Sequence, residues 1–221
     1  MIQRDLFPGP PRDAVIGAVE SWALSTGREL LLGVDEAGRG PLAGPVVAAA
    51  VALPAGPTPP ELAELDDSKR LTHETRRRLA KVVARYALAI GVGCVEPLRI
   101  DEINILEATR EAWCDAVRIA IRRLGAQPRA LLVDGNLPVP GYEGEQWPLV
   151  KGDGRSLNIA AASVIAKVTR DRLMQIYDRR HPGYGFARHK GYGTRQHRRA
   201  LVELGPCAIH RRSFRWTPPE P

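Results

Sequence analysis

The chain has 221 residues, 44% of them hydrophobic and 26% charged, a balance that suits one large folded domain or two small ones and excludes a disordered or fibrous chain. Three cysteines (Cys94, Cys114, Cys207) without a CxxC pair argue against a disulfide scaffold and a cysteine zinc site, and the longest apolar stretch, residues 46–53, is far below the ~20 residues of a membrane span. Net charge is +7, but residues 179–216 hold ten Lys and Arg against one acid, Glu203, so that segment carries +9 and the rest of the chain −2. A near-neutral body with a basic C-terminal stretch is what a phosphate-backbone partner calls for, and a plain solvated surface is the alternative. The N-terminus lacks the apolar region of a signal peptide, so the expected location is cytoplasmic, with no membrane partner.

In chain order, residues 1–12 are Pro-rich and irregular, and residues 14–25 read as a short amphipathic helix. Residues 29–34 and 46–53 are apolar runs of strand length, joined by the turn-forming GRGPLAGP into a hairpin. Residues 54–60 form a Pro-rich loop, and residues 72–86 an amphipathic helix with Leu79, Val82, Val83 and Tyr86 on one stripe. A strand over 87–95 leads to a helix over 98–124 that stops at Gly125. Strands follow at 129–133 and 147–150, each running toward an aspartate. A helix over 156–179 has the small face Ala160, Ala161, Ala162 and Ser163, and a last helix spans 195–204. This alternation predicts an α/β layered domain with the basic segment added after the sheet is complete.

Three apolar runs deliver carboxylates to sheet ends: Asp35 and Glu36 after Val34, Asp134 after Val133, and Asp153 after Val150. Asp134-Gly135 and Asp153-Gly154 are also turn dipeptides, which is the simpler reading of each taken singly. Taken together, four carboxylates at neighbouring ends repel one another unless a divalent cation lies between them, and oxygen-only ligands suit Mg²⁺ or Mn²⁺. The loop Gly38-Arg39-Gly40 allows backbone to approach a sugar hydroxyl or phosphate closely, or is a plain hairpin turn; it is not a P-loop.

These residues resemble bacterial ribonuclease HII. The likeness rests on Asp35-Glu36-Ala37-Gly38-Arg39-Gly40, Asp66-Asp67-Ser68-Lys69-Arg70-Leu71 and Ile103-Asn104-Ile105-Leu106. It continues in Val133-Asp134-Gly135, Lys151-Gly152-Asp153, residues 161–171 and His189-Lys190-Gly191-Tyr192, in the family's order across residues 32 to about 205. The resemblance implies a ribonuclease H-like mixed sheet flanked by helices, with a helical basic C-terminal extension. It assigns residues 1–28 to an N-terminal extension, 29–178 to the catalytic domain and 179–221 to the extension packed on it. It implies an endoribonuclease acting on RNA–DNA hybrids and 5′ of ribonucleotides in duplex DNA, leaving 3′-hydroxyl and 5′-phosphate ends. The catalytic metal ligands would be Asp35, Glu36, Asp134 and Asp153, holding two Mg²⁺ or Mn²⁺ ions with substrate bound.

Gly38, Arg39 and Gly40 would read the 2′-hydroxyl, and Tyr192 (with Tyr184 as the other alignment) would stack on the junction sugar. Ser68, Lys69, Asn104, His189 and Lys190, with arginines between 195 and 212, would meet the nucleic-acid backbone. The expected assembly is a monomer. Asp171, flanked by Arg170 and Arg172, is a structural ion-pair residue or a further ligand, and is left out of the metal set. The rivals are another two-metal enzyme on the same fold, indifferent to the 2′-hydroxyl, and a non-enzymatic binder using only the basic stretch.

Overall fold

Every residue of β2 (Val46–Ala52) is buried, and the two faces of this strand serve different cores. Val46, Ala48, Ala50 and Ala52 join one cluster, while Ala49 and Val51 join the other, as alternation along a strand between two helical layers requires. β1 (Leu31–Ala37) and β3 (Ala89–Val95) lie antiparallel on either side of β2. β4 (Ala130–Asp134) is parallel to β1, and β5 (Glu145–Leu149) is parallel to β4. The computed structural model, which describes residues 10–11, 15–65 and 71–219, thus has a five-stranded mixed sheet ordered β3-β2-β1-β4-β5.

α3 (Pro97–Leu124) covers one face, and α2 (His73–Tyr86) with α4 (Leu157–Arg180) covers the other. Both layers sit directly on glycines. A Cβ on Gly93 of β3 would lie 2.1 Å from the Ala112 carbonyl oxygen of α3, and one on Gly33 of β1 would lie 2.2 Å from the Asn158 carbonyl carbon of α4. The small face expected on α4 is what lets it come so near, since Ala160, Ala161, Ala162 and Ser163 are all buried.

α1 (Ala18–Ser25) precedes the sheet, its expected first residue lying outside the described ones, and α5 (Phe186–His189) and α6 (Arg195–Leu204) follow it. Caps mark the helix starts: Thr72, Ser156 and Thr194 each accept a hydrogen bond from an amide three residues on. The expected 98–124 helix is interrupted at Asn104, with φ 67° and ψ 166°. Its side-chain oxygen accepts from the amides of Leu106 and Glu107 and restarts the helix. Two further differences bear on the site. β1 runs on to Ala37, so Asp35 and Glu36 are strand residues, and β5 ends at Leu149, so Asp153 belongs to a 3₁₀ turn, Gly152–Gly154, not to a strand end.

Candidate active site

Because β1, β4 and β5 are parallel, their C-terminal ends share one edge of the sheet. Val34 is opposite Val133, so the next residues, Asp35 and Asp134, are neighbours across the strands. As adjacent residues of one strand, Asp35 and Glu36 face opposite layers. Asp35 is buried against α4, hydrogen-bonded to the Ser163 hydroxyl, and its Oδ1 accepts from the Glu36 amide at 2.7 Å. Glu36 leans toward α3, where Oε2 accepts from Trp113 Nε1 at 3.0 Å, and its Oε1 lies 3.4 Å from Arg39 Nη1. Asp134 Oδ1 accepts from the Gly152 amide at 2.8 Å, which brings the turn carrying the buried Asp153 to the same edge.

Three of the four carboxylates lie close enough to act on one another's charge. Burial, then the charges of Glu36 and Asp134, hold the Asp35 carboxyl well above the usual range. Burial also raises Glu36; Arg39 and Trp113 oppose this rise, and Asp134 adds to it. Among the described residues no three His, Cys, Asp or Glu side chains close round one point in metal-binding geometry. The carboxylates are turned to protein donors. As an oxygen-only set, with Asp35 and Asp153 buried and Glu36 and Asp134 partly so, whose members repel one another, they suit a hard divalent cation.

Beside them, Gly38 to Pro45 forms a loop whose carbonyls are held from behind by two buried guanidiniums. Arg211 donates to the carbonyls of Gly38 (2.5 Å), Arg39 (2.9 Å) and Gly44 (3.0 Å). Arg170 donates to Pro45 (2.9 Å), Ala43 (3.0 Å) and Lys190 (2.9 Å). With these carbonyls drawn inward, the exposed tip at Arg39 and Gly40 is free to meet a ligand. Gly38 has φ 99°, and a Cβ there would lie 2.0 Å from Arg170 Nε, so no other residue fits. Burial, then the nearby Arg170, brings the Arg211 guanidinium down to about 9, so it stays charged at neutral pH.

Tyr192 stands next to the loop tip, its ring edge 4.0 Å from where a Gly40 Cβ would be, and it is 46% exposed. Tyr184 is buried, stacked on Phe186, and donates its hydroxyl to the Gly205 carbonyl. Of the two tyrosines, then, Tyr192 is the one beside the glycine loop. Its backbone is held by histidines. The Cys207 amide donates to His210 Nδ1 at 2.9 Å, so the His210 proton lies on Nε2 and is donated to His197 Nε2 at 3.0 Å. His197 Nδ1 then donates to the Tyr192 carbonyl at 3.0 Å.

His189, expected to meet the substrate backbone, requires a correction. It is 8% exposed, its Nε2 bonds the Tyr184 carbonyl and its Nδ1 accepts from the Gly191 amide, so neither ring nitrogen is left for a phosphate. Arg211 departs from the expected surface role in the same way. Lys190 is partly exposed next to Tyr192, its ammonium bonded to the Ala187 carbonyl, and Asn104 is exposed at the break in α3. Ser68 and Lys69 lie outside the described residues. Asp171, 4% exposed, is ion-paired with Lys167 at 2.6 Å and Arg76 at 3.5 Å.

Sequence reasoning overlooked Ser163, Trp113, Arg170, His197 and the inward role of Arg211. Ser163, Ala166 and Arg170 follow i, i+3, i+7 on the buried stripe of α4, a spacing that marks Arg170 as interior. His197, Ala200 and Leu201 likewise follow i, i+3, i+4 on the buried stripe of α6, while nothing comparable marks Arg211.

Comparison with known proteins gives a consistent result. Residues 32–217 match the profile of the Ribonuclease HII family. The chain is 52% identical over 210 residues to the ribonuclease HII of Citrifermentans bemidjiense, covering 95% of this chain and 88% of that protein. Among solved structures, the ribonuclease H2 of Pyrococcus horikoshii superposes with a TM-score of 0.68 at 27% identity, over 84% of this chain and 93% of that one. The ribonuclease HII of Archaeoglobus fulgidus, solved in complex with PCNA, gives 0.67 at 27% identity, over 85% and 96%.

Proposed function

Since the chain belongs to the ribonuclease HII family and is an endoribonuclease of the ribonuclease H type on a ribonuclease H-like fold, we propose that it cuts the RNA strand of RNA–DNA hybrids and nicks duplex DNA 5′ of embedded ribonucleotides. The observation that supports this most is the meeting of Asp35, Glu36 and Asp134 at one sheet edge, beside a glycine loop and an exposed tyrosine. Asp35, Glu36, Asp134 and Asp153 are the residues to hold two Mg²⁺ or Mn²⁺ ions, which when bound would activate water and stabilise the leaving 3′-oxygen.

The protein's own groups do the selecting. The Gly38 to Gly40 backbone, fixed by Arg211 and Arg170, reads the 2′-hydroxyl from the minor-groove side, a contact deoxyribose cannot make. Arg39 sits within reach of Glu36 and of an incoming phosphate. Tyr192 stacks on the sugar 3′ to the ribonucleotide, its backbone held by His197. Trp113 and Ser163 orient the two β1 carboxylates toward their opposite faces. The surface arginines between 195 and 212, with Ser68, Lys69, Asn104 and Lys190, contact phosphates. In this reading residues 29–178 form the catalytic domain, 1–28 and 179–221 are extensions, and the enzyme works as a cytoplasmic monomer.

The test is a DNA duplex bearing one ribonucleotide, incubated with Mg²⁺ or Mn²⁺. A nick 5′ of the ribonucleotide, leaving a 3′-hydroxyl and a 5′-phosphate, is expected. Salt-sensitive binding with no cut in either metal would overturn the reading and favour a binder.

A further inference from the structure

Past Tyr192 the surface opens into a cleft of about 580 Å³ between α2, α4 and the α5 segment, lined among others by Arg76, Lys167, Asp171, Arg188, Lys190 and Tyr192. Four permanent cations face a single carboxylate there. The Asp171 carboxylate is buried and divides itself among partners from two helices: Oδ1 accepts from Lys167 Nζ at 2.6 Å, and Oδ2 lies 3.5 Å from Arg76 Nη1 and 3.8 Å from His73 Nδ1. Arg76 is held from its other side by the Leu71 carbonyl, which accepts from Nε at 3.3 Å and Nη2 at 3.2 Å.

An ion pair serving only to staple α2 to α4 needs one cation. This arrangement instead fixes Arg76 and Lys167 side by side at the wall of an open cleft, with Arg188 exposed across it. The surplus positive charge, immobilised and continuous with Tyr192, fits an extended polyanion better than a small solute.

We propose that this cleft seats the sugar-phosphate backbone of the duplex on the 3′ side of the ribonucleotide, with Lys167 and Arg76 contacting phosphates and Asp171 positioning both. The inference rests on the ribonuclease reading above, since that reading puts the 3′ nucleotide on Tyr192. A strand leaving the carboxylate edge passes the loop tip at Gly40, then the tyrosine ring, then enters the cleft.

Lys167→Gln keeps a hydrogen-bond donor for Asp171 and removes the charge. Binding of the metal-free protein to two ribonucleotide-containing duplexes is followed by fluorescence anisotropy across a salt series. One duplex extends about a helical turn 3′ of the ribonucleotide, and the other is trimmed at the junction nucleotide. The variant is expected to bind the long duplex more weakly, with a salt slope shallower by about 1, while its affinity for the trimmed duplex stays unchanged. Arg188→Gln, on the exposed wall, provides the same readout should Lys167→Gln fail to fold. An unchanged slope, or equal losses on both duplexes, overturns the proposal. Nicking of the trimmed duplex by the unaltered protein in Mg²⁺ separates the two levels: if it is cut while the slopes agree, only the cleft assignment falls; if neither duplex is cut, both fall.

Discussion

The carboxylate edge of the sheet and the C-terminal segment are both dense in charge, and they place it oppositely. At the edge, Asp35, Glu36 and Asp134 are kept close enough to repel one another, each tied to a donor that fixes its orientation without cancelling its neighbours. In the C-terminal segment, charge that reads as surface in the sequence is partly turned inward. Arg211 is buried on backbone carbonyls, and burial brings His197 and His210 down to about 4, so they are neutral at physiological pH. One region stores electrostatic strain for chemistry; the other uses cations and neutral rings as a scaffold for the loop and tyrosine. The lesson is that charge density alone does not mark a binding surface.

The contrast can be broken by substitution. Asp134→Asn has the largest expected effect: cleavage falls by more than about a hundredfold, beyond what is typical for loss of even an outer partner of a metal ligand. Thermal melting of the metal-free variant should meanwhile be unchanged or higher, because a like charge is gone from beside Asp35 and Glu36. Marked unfolding would show that Asp134 serves a turn instead. Arg211→Met leaves three loop carbonyls without their donor and should cost about 3 kcal/mol in denaturant unfolding. A melting curve that does not move would mean the guanidinium is no scaffold.

Tyr192→Ala should lose a stacking contact of about 1–3 kcal/mol, seen as a raised KM on a single-ribonucleotide duplex with little change in melting. An unaltered KM would leave the ring without a role. The comparison is sharpened further by pH dependence, where the two regions have opposite signs. Asp35, raised when folded, holds its proton in the native state at pH values where the unfolded chain has lost it, so its contribution falls as pH rises above about 3.8. His197 and His210, lowered when folded, take up protons only on unfolding between about 6.5 and 4, so stability falls as pH drops through that window by about 1.4 kcal/mol per pH unit for each proton. Urea midpoints of Asp35→Asn should therefore lose the first trend, and those of His210→Asn should lose part of the second. Identical pH profiles for both variants would show that neither group carries the linkage.

The legible parts of the molecule were those whose signal is local. Apolar runs ending in Asp35 and Asp134 announced the sheet edge, and the stripe of Leu79, Val82, Val83 and Tyr86 announced a helix. The strand order, which makes those two ends neighbours, is a tertiary fact; the alternation of elements suggested a layered sheet but not its order. Asn104 takes a left-handed φ that its neighbours do not signal, and α5 is too short for any period to show. The inward turn of Arg211 depends on partners up to 173 residues away, which no window of sequence contains, whereas His189 turns onto the carbonyl of Tyr184 and the amide of Gly191, neighbours whose placement only the folded loop fixes.

The two guanidiniums beneath the glycine loop also bear on how binding should respond to ionic strength. Arginines on the surface of the basic segment face mobile counterions, and their pull on a polyanion fades as salt is added. Arg170 and Arg211 are sealed from those ions by the loop backbone they hold. Attraction centred on Gly38 to Gly40 should therefore outlast the rest, so that in concentrated salt the protein grips its ligand mainly at this loop.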